Sequence, residues 1–224
     1  MIVRINKFIA RYHGVSRRQA DEMIQSKAVM VNGEPAVIGQ LINDDADIIK
    51  VNGQSVQKNL SHTVLLLNKP VGYICSRNAQ SKKAKTVYDI LPTKYKNLKT
   101  VGRLDKDSSG LILLTDDGDF AHRLTHPKFK KIKIYLVRLD KPLTPLHQQI
   151  IADFGINLND GISKLGLERL DDNRCEWRIT MDEGRNRQIR RTFSALGYTV
   201  TKLHRTNFGS YAINELKPGQ YQIT

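Results

Sequence analysis

The chain is poor in the residues that build the commoner special-purpose scaffolds. It has two cysteines in 224 residues, Cys75 and Cys175, which stand far apart. Two lone thiols exclude a disulfide framework and a cysteine-built zinc site. The purely aliphatic runs are short, as at Val64–Leu67 and Leu111–Leu114, whereas a bilayer span needs roughly 18 residues. The opening Met1-Ile2-Val3-Arg4 carries no apolar signal core and no cleavage site, so a soluble, cytoplasmic chain is expected. There is no glycine-rich phosphate loop, no tandem repeat and no low-complexity segment. Acidic residues are also in deficit, with 22 Asp and Glu against 36 Lys and Arg, a formal charge of +14.

Apolar residues make up 40% of the chain, enough for an ordinary core, and the length suits one large or two modest domains. The basic excess favours a polyanionic partner, nucleic acid before an anionic membrane. It is uneven. Residues 1–60 are close to balanced, and most of the excess lies in residues 61–224.

Residues 1–58 read as a small unit with its own punctuation. Ile5, Phe8, Ile9 and Tyr12 fall at helical spacing, and Gly14 ends that helix. Ser16-Arg17-Arg18-Gln19 has the form of a capping box, followed by an apolar stripe of Ala20, Met23 and Ile24. Val29-Met30-Val31 predicts a strand, and Asn32-Gly33 and Asn52-Gly53 are hairpin turns. Arg4, Lys7 and Arg11 are spaced to share one helix face, and Arg17 and Arg18 follow. A basic stripe backed by an apolar one fits either a helix facing phosphates or a solvated surface. These strings, Arg4-Ile5-x-Lys7-Phe8-Ile9-Ala10, Gly14-Val15-Ser16-Arg17-Arg18-x-Ala20 and Val29-x-Val31-Asn32-Gly33, resemble the αL RNA-binding domain. That domain is shared by a small-subunit ribosomal protein, some aminoacyl-tRNA synthetases and rRNA-modifying enzymes. The resemblance makes Arg4, Lys7, Arg11, Arg17 and Arg18 RNA-binding candidates. One departure is Lys27, where the family usually has glycine. Either the turn is made differently, or Lys27 is left-handed at some cost.

Residues 59–63 read as a linker, and 64–224 as a second domain of mixed strands and helices. Strands are expected at Val64–Leu67, Leu111–Thr115, Ile132–Leu139, Cys175–Met181, Val200–Leu203 and Tyr221–Ile223. Helices are expected at Thr86–Leu91, Asp119–His126, Leu143–Phe154 and Arg185–Leu196. Lys82-Lys83-Ala84-Lys85 and Lys128-Phe129-Lys130-Lys131 are basic loops, either phosphate contacts or exposed turns.

Three strings in this half carry chemistry. Leu67-Asn68-Lys69-Pro70-Val71-Gly72 delivers a lysine at the end of a strand. Val101–Leu111 sets Arg103 and Asp105 before a small, turn-prone run, a pattern that fits a nucleophile, a base or only a capped turn. Glu183–Arg191 packs four arginines into seven residues. With Ile189, Phe193 and Leu196 buried on a helix, the arginines form either a solvated face or an anion site, and because four fixed guanidinium groups repel one another without an anion, a bound anion is favoured. No metal site is expected. Asp116-Asp117-Gly118-Asp119 lacks the alternation of a calcium loop, and His122 and His126 lack the glutamate of a zinc-protease helix.

Together the three strings and Lys133-x-Tyr135-x-Val137 resemble the pseudouridine synthases of ribosomal RNA, in the branch with an amino-terminal αL domain. The resemblance implies an α+β fold: a small αL domain, then a catalytic domain with a mixed, largely antiparallel sheet and flanking helices. It implies isomerisation of one uridine in ribosomal RNA or a ribosomal subunit precursor by a monomer that needs no cofactor, nucleotide or membrane. Asp105 then matches the catalytic aspartate, as nucleophile or as a group assisting glycosidic cleavage. Arg190 matches its ion-pair partner, since a fixed arginine keeps a partly dry carboxylate ionised. Tyr135 matches the active-site tyrosine. Arg103 matches the arginine that holds the nucleotide out of the RNA stack, with phosphate contacts from Lys69, Arg185 and Arg187. The arginine string looks more like 23S enzymes and the compact length more like 16S ones, with 23S rRNA favoured. The competing readings are a retaining glycosidase, which needs a second carboxyl acid, and a non-catalytic assembly factor, which does not need Asp105, Tyr135 and Arg190 together.

Overall fold

The computed structural model describes residues 1–58, 62–77 and 84–224. Asn59, Leu60 and Ser61 of the predicted linker, and Lys82 and Lys83 of one basic loop, lie outside the described residues. Two compact units emerge. One comprises Met1–His62 with Asp116–Gly118, the other Thr63–Thr115 with Asp119–Thr224.

The first unit runs β1 (Ile2–Arg4), α1 (Ile5–Tyr12), α2 (Arg17–Gln25), β2 (Val29–Val31), β3 (Glu34–Pro35), β4 (Leu41–Asn43), β5 (Ile49–Val51) and β6 (Gln54–Ser55). Its core is Ile5, Phe8 and Ile9 of α1, Ala20 and Ile24 of α2, and Val29, Ile42, Ile49 and Val51 from the strands. The two helices are separated by Gly14, at φ +73°, and α2 opens on the capping box. The Gln19 amide donates to Ser16 Oγ at 3.1 Å, and the Ser16 amide donates to Gln19 Oε1 at 2.8 Å. At both Asn-Gly turns each residue has positive φ, the geometry whose twist matches the flanking strands.

One expectation changes here. Arg4 is not on the helical face with Lys7 and Arg11. It ends β1, paired with Leu41 of β4, and stands at the N-cap of α1. The β-branched Ile2-Val3 pair favours an extended start.

The second unit runs β7 (Val64–Lys69), β8 (Lys99–Val101), β9 (Ser109–Thr115), α3 (Gly118–Thr125), β10 (Lys133–Leu139), α4 (Pro145–Gln149), β11 (Ile156–Leu158), β12 (Gly161–Ser163), β13 (Gly166–Arg169), β14 (Glu176–Met181), α5 (Gln188–Ser194), β15 (Val200–Phe208), β16 (Tyr211–Ala212) and β17 (Tyr221–Ile223). Its main sheet has the order β13-β14-β10-β15-β9-β7-β17, with β16 on β15 and β8 on β9. All these pairings are antiparallel except β15 with β9, where Arg205 meets Gly110. The sheet is therefore mixed and largely antiparallel, and the fold is α+β.

Strand β9 explains the aliphatic run Leu111–Leu114. It lies inside the sheet, and all four side chains are buried, each worth about 1.5–3 kcal/mol relative to exposure. Leu65, Leu67, Ile112 and Leu114 join Trp177, Ile179 and Phe193 in one cluster. Leu66, Leu111 and Leu113 join Leu124 and Phe208 in another.

Three helical expectations shift. Thr86–Leu91 holds only one tight turn, Val87–Asp89, capped by Thr86 and Asp89. The 143–154 helix is α4 followed by a wider turn through Phe154. The helix expected from Arg185 begins at Gln188, because Arg187 is left-handed at φ +48° and blocks the turn before it.

Lys27 takes the left-handed course, at φ +57°. Its amide still donates to the Ile24 carbonyl at 3.0 Å, so the family's turn is kept with the wrong side chain for it. A non-glycine residue there costs roughly 1–2 kcal/mol, partly offset by the greater unfolded-state freedom of glycine. Lys27→Gly is expected to raise stability by about 0.5–1 kcal/mol, read as a higher urea midpoint by circular dichroism.

Candidate active site

A cleft of ≈ 420 Å³ opens on one part of the second unit. Its lining includes Arg103, Asp105, Ser108, Tyr135 and Arg187. The loop that carries Asp105 joins β8 to β9 and is pinned from several sides. The Ser108 amide donates to the Asp105 carbonyl at 3.1 Å, and the Gly72 amide donates to the Lys106 carbonyl at 2.7 Å. Leu104 is buried in the core beneath the loop. Lys69 Nζ donates to the Ser108 carbonyl at 2.6 Å and to the Pro70 carbonyl at 3.0 Å. The short loop is thus held at its middle and at its far end.

Arg187 reaches this loop from the other wall. Its Nη1 donates to Asp105 Oδ2 at 3.4 Å and to Asp107 Oδ1 at 3.0 Å, and its Nη2 donates to Asp107 Oδ2 at 3.0 Å. The pair with Asp107 is a two-pronged fork, the geometry that adds direction as well as charge. The two carboxylates are consequently unlike. Asp107 has both oxygens engaged. Asp105 gives one oxygen to Arg187, and among the described residues its Oδ1 has no partner.

The expected pairing of Arg190 with Asp105 is replaced by one with Asp107. Arg190 Nε lies 3.3 Å from Asp107 Oδ2, Nη2 donates to the Asp107 carbonyl at 2.9 Å, and Nη1 donates to the Val200 carbonyl at 2.6 Å. The late start of α5 is the reason, since it turns Arg187 toward Asp105 and sets Arg190 behind it. Lys69 is corrected too. It is fully buried, 0% exposed, and absent from the cleft lining, so it holds backbone rather than phosphate. Burial pushes its ammonium below the usual lysine range, against nearby Asp105 and Asp107. Arg185 borders the cleft but is spent on the protein. It donates to the carbonyls of Asp160, Gly161 and Ile162 and pairs with Asp160 and Glu183.

The anion that the arginine string called for is therefore supplied by the fold. Arg185, Arg187, Arg190 and Arg191 pair with Asp105, Asp107, Asp160 and Glu183. The hydrogen bond from Arg187 holds the Asp107 carboxyl below the usual carboxylate range, with help from the charge of Arg190 and against desolvation. Arg191 does the same for Asp160, helped by the charge of Arg185.

Tyr135 lies on β10, 7% exposed, at the cleft. Arg103 is exposed there and makes no ion pair among the described residues. In the first unit Arg4, Arg17 and Arg18 are exposed, and Lys7 and Arg11 are half-buried. Two further cations line the cleft: Lys133, which the sequence motif includes without giving it a role, and Arg205, which sequence reasoning missed. The available signal was Gly110. At φ +108°, an added Cβ would lie 2.2 Å from the Arg205 carbonyl oxygen, so this glycine marks a strand contact and not the turn it resembles.

Comparison with known proteins places both units. Residues 63–195 match the family model described as RNA pseudouridylate synthase, and residues 3–44 match the S4 domain. The chain is 34% identical over 222 residues to a ribosomal small subunit pseudouridine synthase A of Yersinia pestis, covering 98% of this chain and 94% of that protein. It is 33% identical over 230 residues to a ribosomal large subunit pseudouridine synthase B of Vibrio cholerae, covering 97% and 70%. A solved structure titled as a crystal structure of pseudouridylate synthase matches with a TM-score of 0.70 at 35% identity, over 99% of this chain and 96% of that one.

Asp107 has a depressed folded-state pKa, so its pairing is complete above the ordinary carboxylate range and is lost only as pH falls through the lower, folded value. A carbon-13 titration of the side chain is expected to give a midpoint below that of a free aspartate. Arg187→Gln is expected to move it upward.

Proposed function

The chain belongs to the RNA pseudouridylate synthase family and carries an S4 domain ahead of its catalytic one; from that premise we propose that it isomerises one uridine of ribosomal RNA with Asp105 as the catalytic carboxylate. In this reading residues 1–58 bind RNA, 59–63 link and 64–224 catalyse. The protein acts in the cytoplasm as a monomer without a nucleotide cofactor. Among the described residues, no helix is long and apolar enough to cross a membrane.

One observation carries the choice of Asp105. Of the two loop carboxylates it alone lines the cleft, and it keeps an oxygen that no group among the described residues occupies. The reaction breaks the bond from ribose carbon 1′ to uracil nitrogen 1, turns the ring, and bonds carbon 5 in its place. Carbon 5 loses a proton and nitrogen 1 gains one, so no oxidant, reductant or second substrate is consumed. A carboxylate beside carbon 1′ serves as nucleophile or as stabiliser of the cleaved sugar. Arg187 holds it toward the cleft and favours its charged form. Tyr135 packs against the base. Arg103 braces the extruded nucleotide, whose unstacking costs a few kcal/mol. Arg4, Arg17 and Arg18, with Lys7 and Arg11, hold RNA through the first unit.

The arginine string supports a 23S target. A second reading, 16S rRNA, is supported by the 34% identity to a small-subunit relative.

Pseudouridine mapping of both ribosomal RNAs, in cells lacking the gene and in cells rescued with wild type or Asp105→Asn, decides both points. One site is expected to lose its modification and to regain it with wild type alone. Full rescue by Asp105→Asn contradicts the catalytic assignment, and the position of the site names the subunit.

A further inference from the structure

Among the described residues, two cations on the floor of the cleft form no ion pair, although the charges of Asp182 and Glu183 act on one of them, Lys133. Lys133 and Arg205 are 9% and 3% exposed, and both line the cleft. They flank Tyr135 on the sheet. Lys133 lies two residues before it on β10, and Arg205 is its cross-strand partner on β15. Phe208 lies between the two cations, with Lys133 Nζ 5.3 Å and Arg205 Cζ 4.7 Å from its ring centroid.

Their bonds within the protein leave donors over. Lys133 Nζ donates to the carbonyls of Lys131 at 2.8 Å and Asp182 at 3.3 Å, and an ammonium has three protons to give. Arg205 Nε donates to the Leu111 carbonyl at 2.8 Å, while its Nη2 is buried with no acceptor among the described residues. A buried donor without an acceptor is costly. The β9–β15 contact fixes the backbone at this position, running so close to the Arg205 main chain that only a glycine fits at 110. Burial, and then the charge of Arg205, hold the Lys133 ammonium below the usual lysine range. Two like charges are thus gathered at one floor, next to Tyr135 and the apolar Met181 and Leu203, with the missing acceptors left for a ligand to bring.

We propose that Lys133 and Arg205 recognise the target base itself, each donating to one carbonyl oxygen of uracil, and hold the negative charge the ring takes up when its glycosidic bond breaks. This rests on the pseudouridine synthase reading. The bond electrons pass from carbon 1′ onto nitrogen 1 and spread to the two ring oxygens. They return when carbon 5 bonds to carbon 1′. Donors fixed in a dry site beside developing charge act mainly on the barrier. Donor-only side chains also match uracil, which offers acceptors at carbons 2 and 4. They oppose cytosine, which places an amino donor at carbon 4.

The test uses unmodified 16S and 23S transcripts made with uridine tritiated at carbon 5, where each turnover releases tritium. Arg205→Met and Lys133→Met are each expected to lower kcat at least about tenfold with KM near wild type. Arg205→Lys is expected to restore part of the loss. A raised KM with intact kcat points to phosphate contact instead and overturns the proposal, as does undiminished kcat in both Met variants. Should the Met variants fail to fold, wild type is assayed on transcripts carrying 2-thiouridine or 4-thiouridine, with products read by nucleoside chromatography. Sulfur accepts hydrogen bonds poorly but spreads ring charge well, so a slower reaction with either analogue supports the contact and full rates with both overturn it. Absence of turnover by wild type on both transcripts and on subunit precursors assembled from them overturns the rRNA reading, and the base assignment with it.

Discussion

The site depends on a neutralised cluster of charge. Arg185, Arg187, Arg190 and Arg191 would repel one another around the start of α5, and Asp105, Asp107, Asp160 and Glu183 hold them there. The carboxylates of these pairs keep contact with water, where an ion pair is worth about 0–1 kcal/mol, so the cluster is not chiefly a source of stability. Its effect is geometric. The fork from Arg187 to Asp107 ties two segments far apart in sequence and sets the direction from which Asp105 is approached. Because Asp107 takes both prongs, Asp105 is left with one oxygen bound and one open.

The buried layer beneath the cluster carries the energetics. The Asp105 loop cannot drift while Lys69, without access to water, spans the carbonyls of Pro70 and Ser108 and Leu104 is sunk in the core. One strand further in, the parallel contact of β9 with β15 brings Gly110 against Arg205. The same contact therefore aligns the Asp105 loop and sets a cation into the cleft floor. Rigidity in the sheet becomes position at the site, the usual way a reactive loop is held on a stiff platform.

Much of this was legible in the residues. Local signals read well where the physics is local. Ser16 and Gln19 cap as their spacing says, both Asn-Gly pairs turn, and the Leu111–Leu114 run is an inner strand. Motif order located Asp105, Arg103, Tyr135 and Arg187 on one cleft. What failed to read was long-range. Asp160 and Asp107 carry no local mark of being partners to arginines elsewhere in the chain, so the arginine string suggested a bound anion that the fold already provides. Lys69 looks like any lysine at a strand end until the sheet closes over it. Arg187 has an ordinary helical neighbourhood, and nothing local marks its left-handed backbone, which brings Arg187 rather than Arg190 to Asp105. Gly110 was visible, but its meaning depended on a strand that arrives 95 residues later.

The central claim is that Arg187 serves the reaction through the paired carboxylates of the Asp105 loop. A double-mutant cycle on tritium release, with Arg187→Gln, Asp107→Asn and the two combined, tests it most directly. If the clamp acts as a unit, each single change lowers kcat and the combined protein is no slower than the slower single variant. Independent losses that multiply in the combined protein, with no coupling between the two positions, would contradict the account.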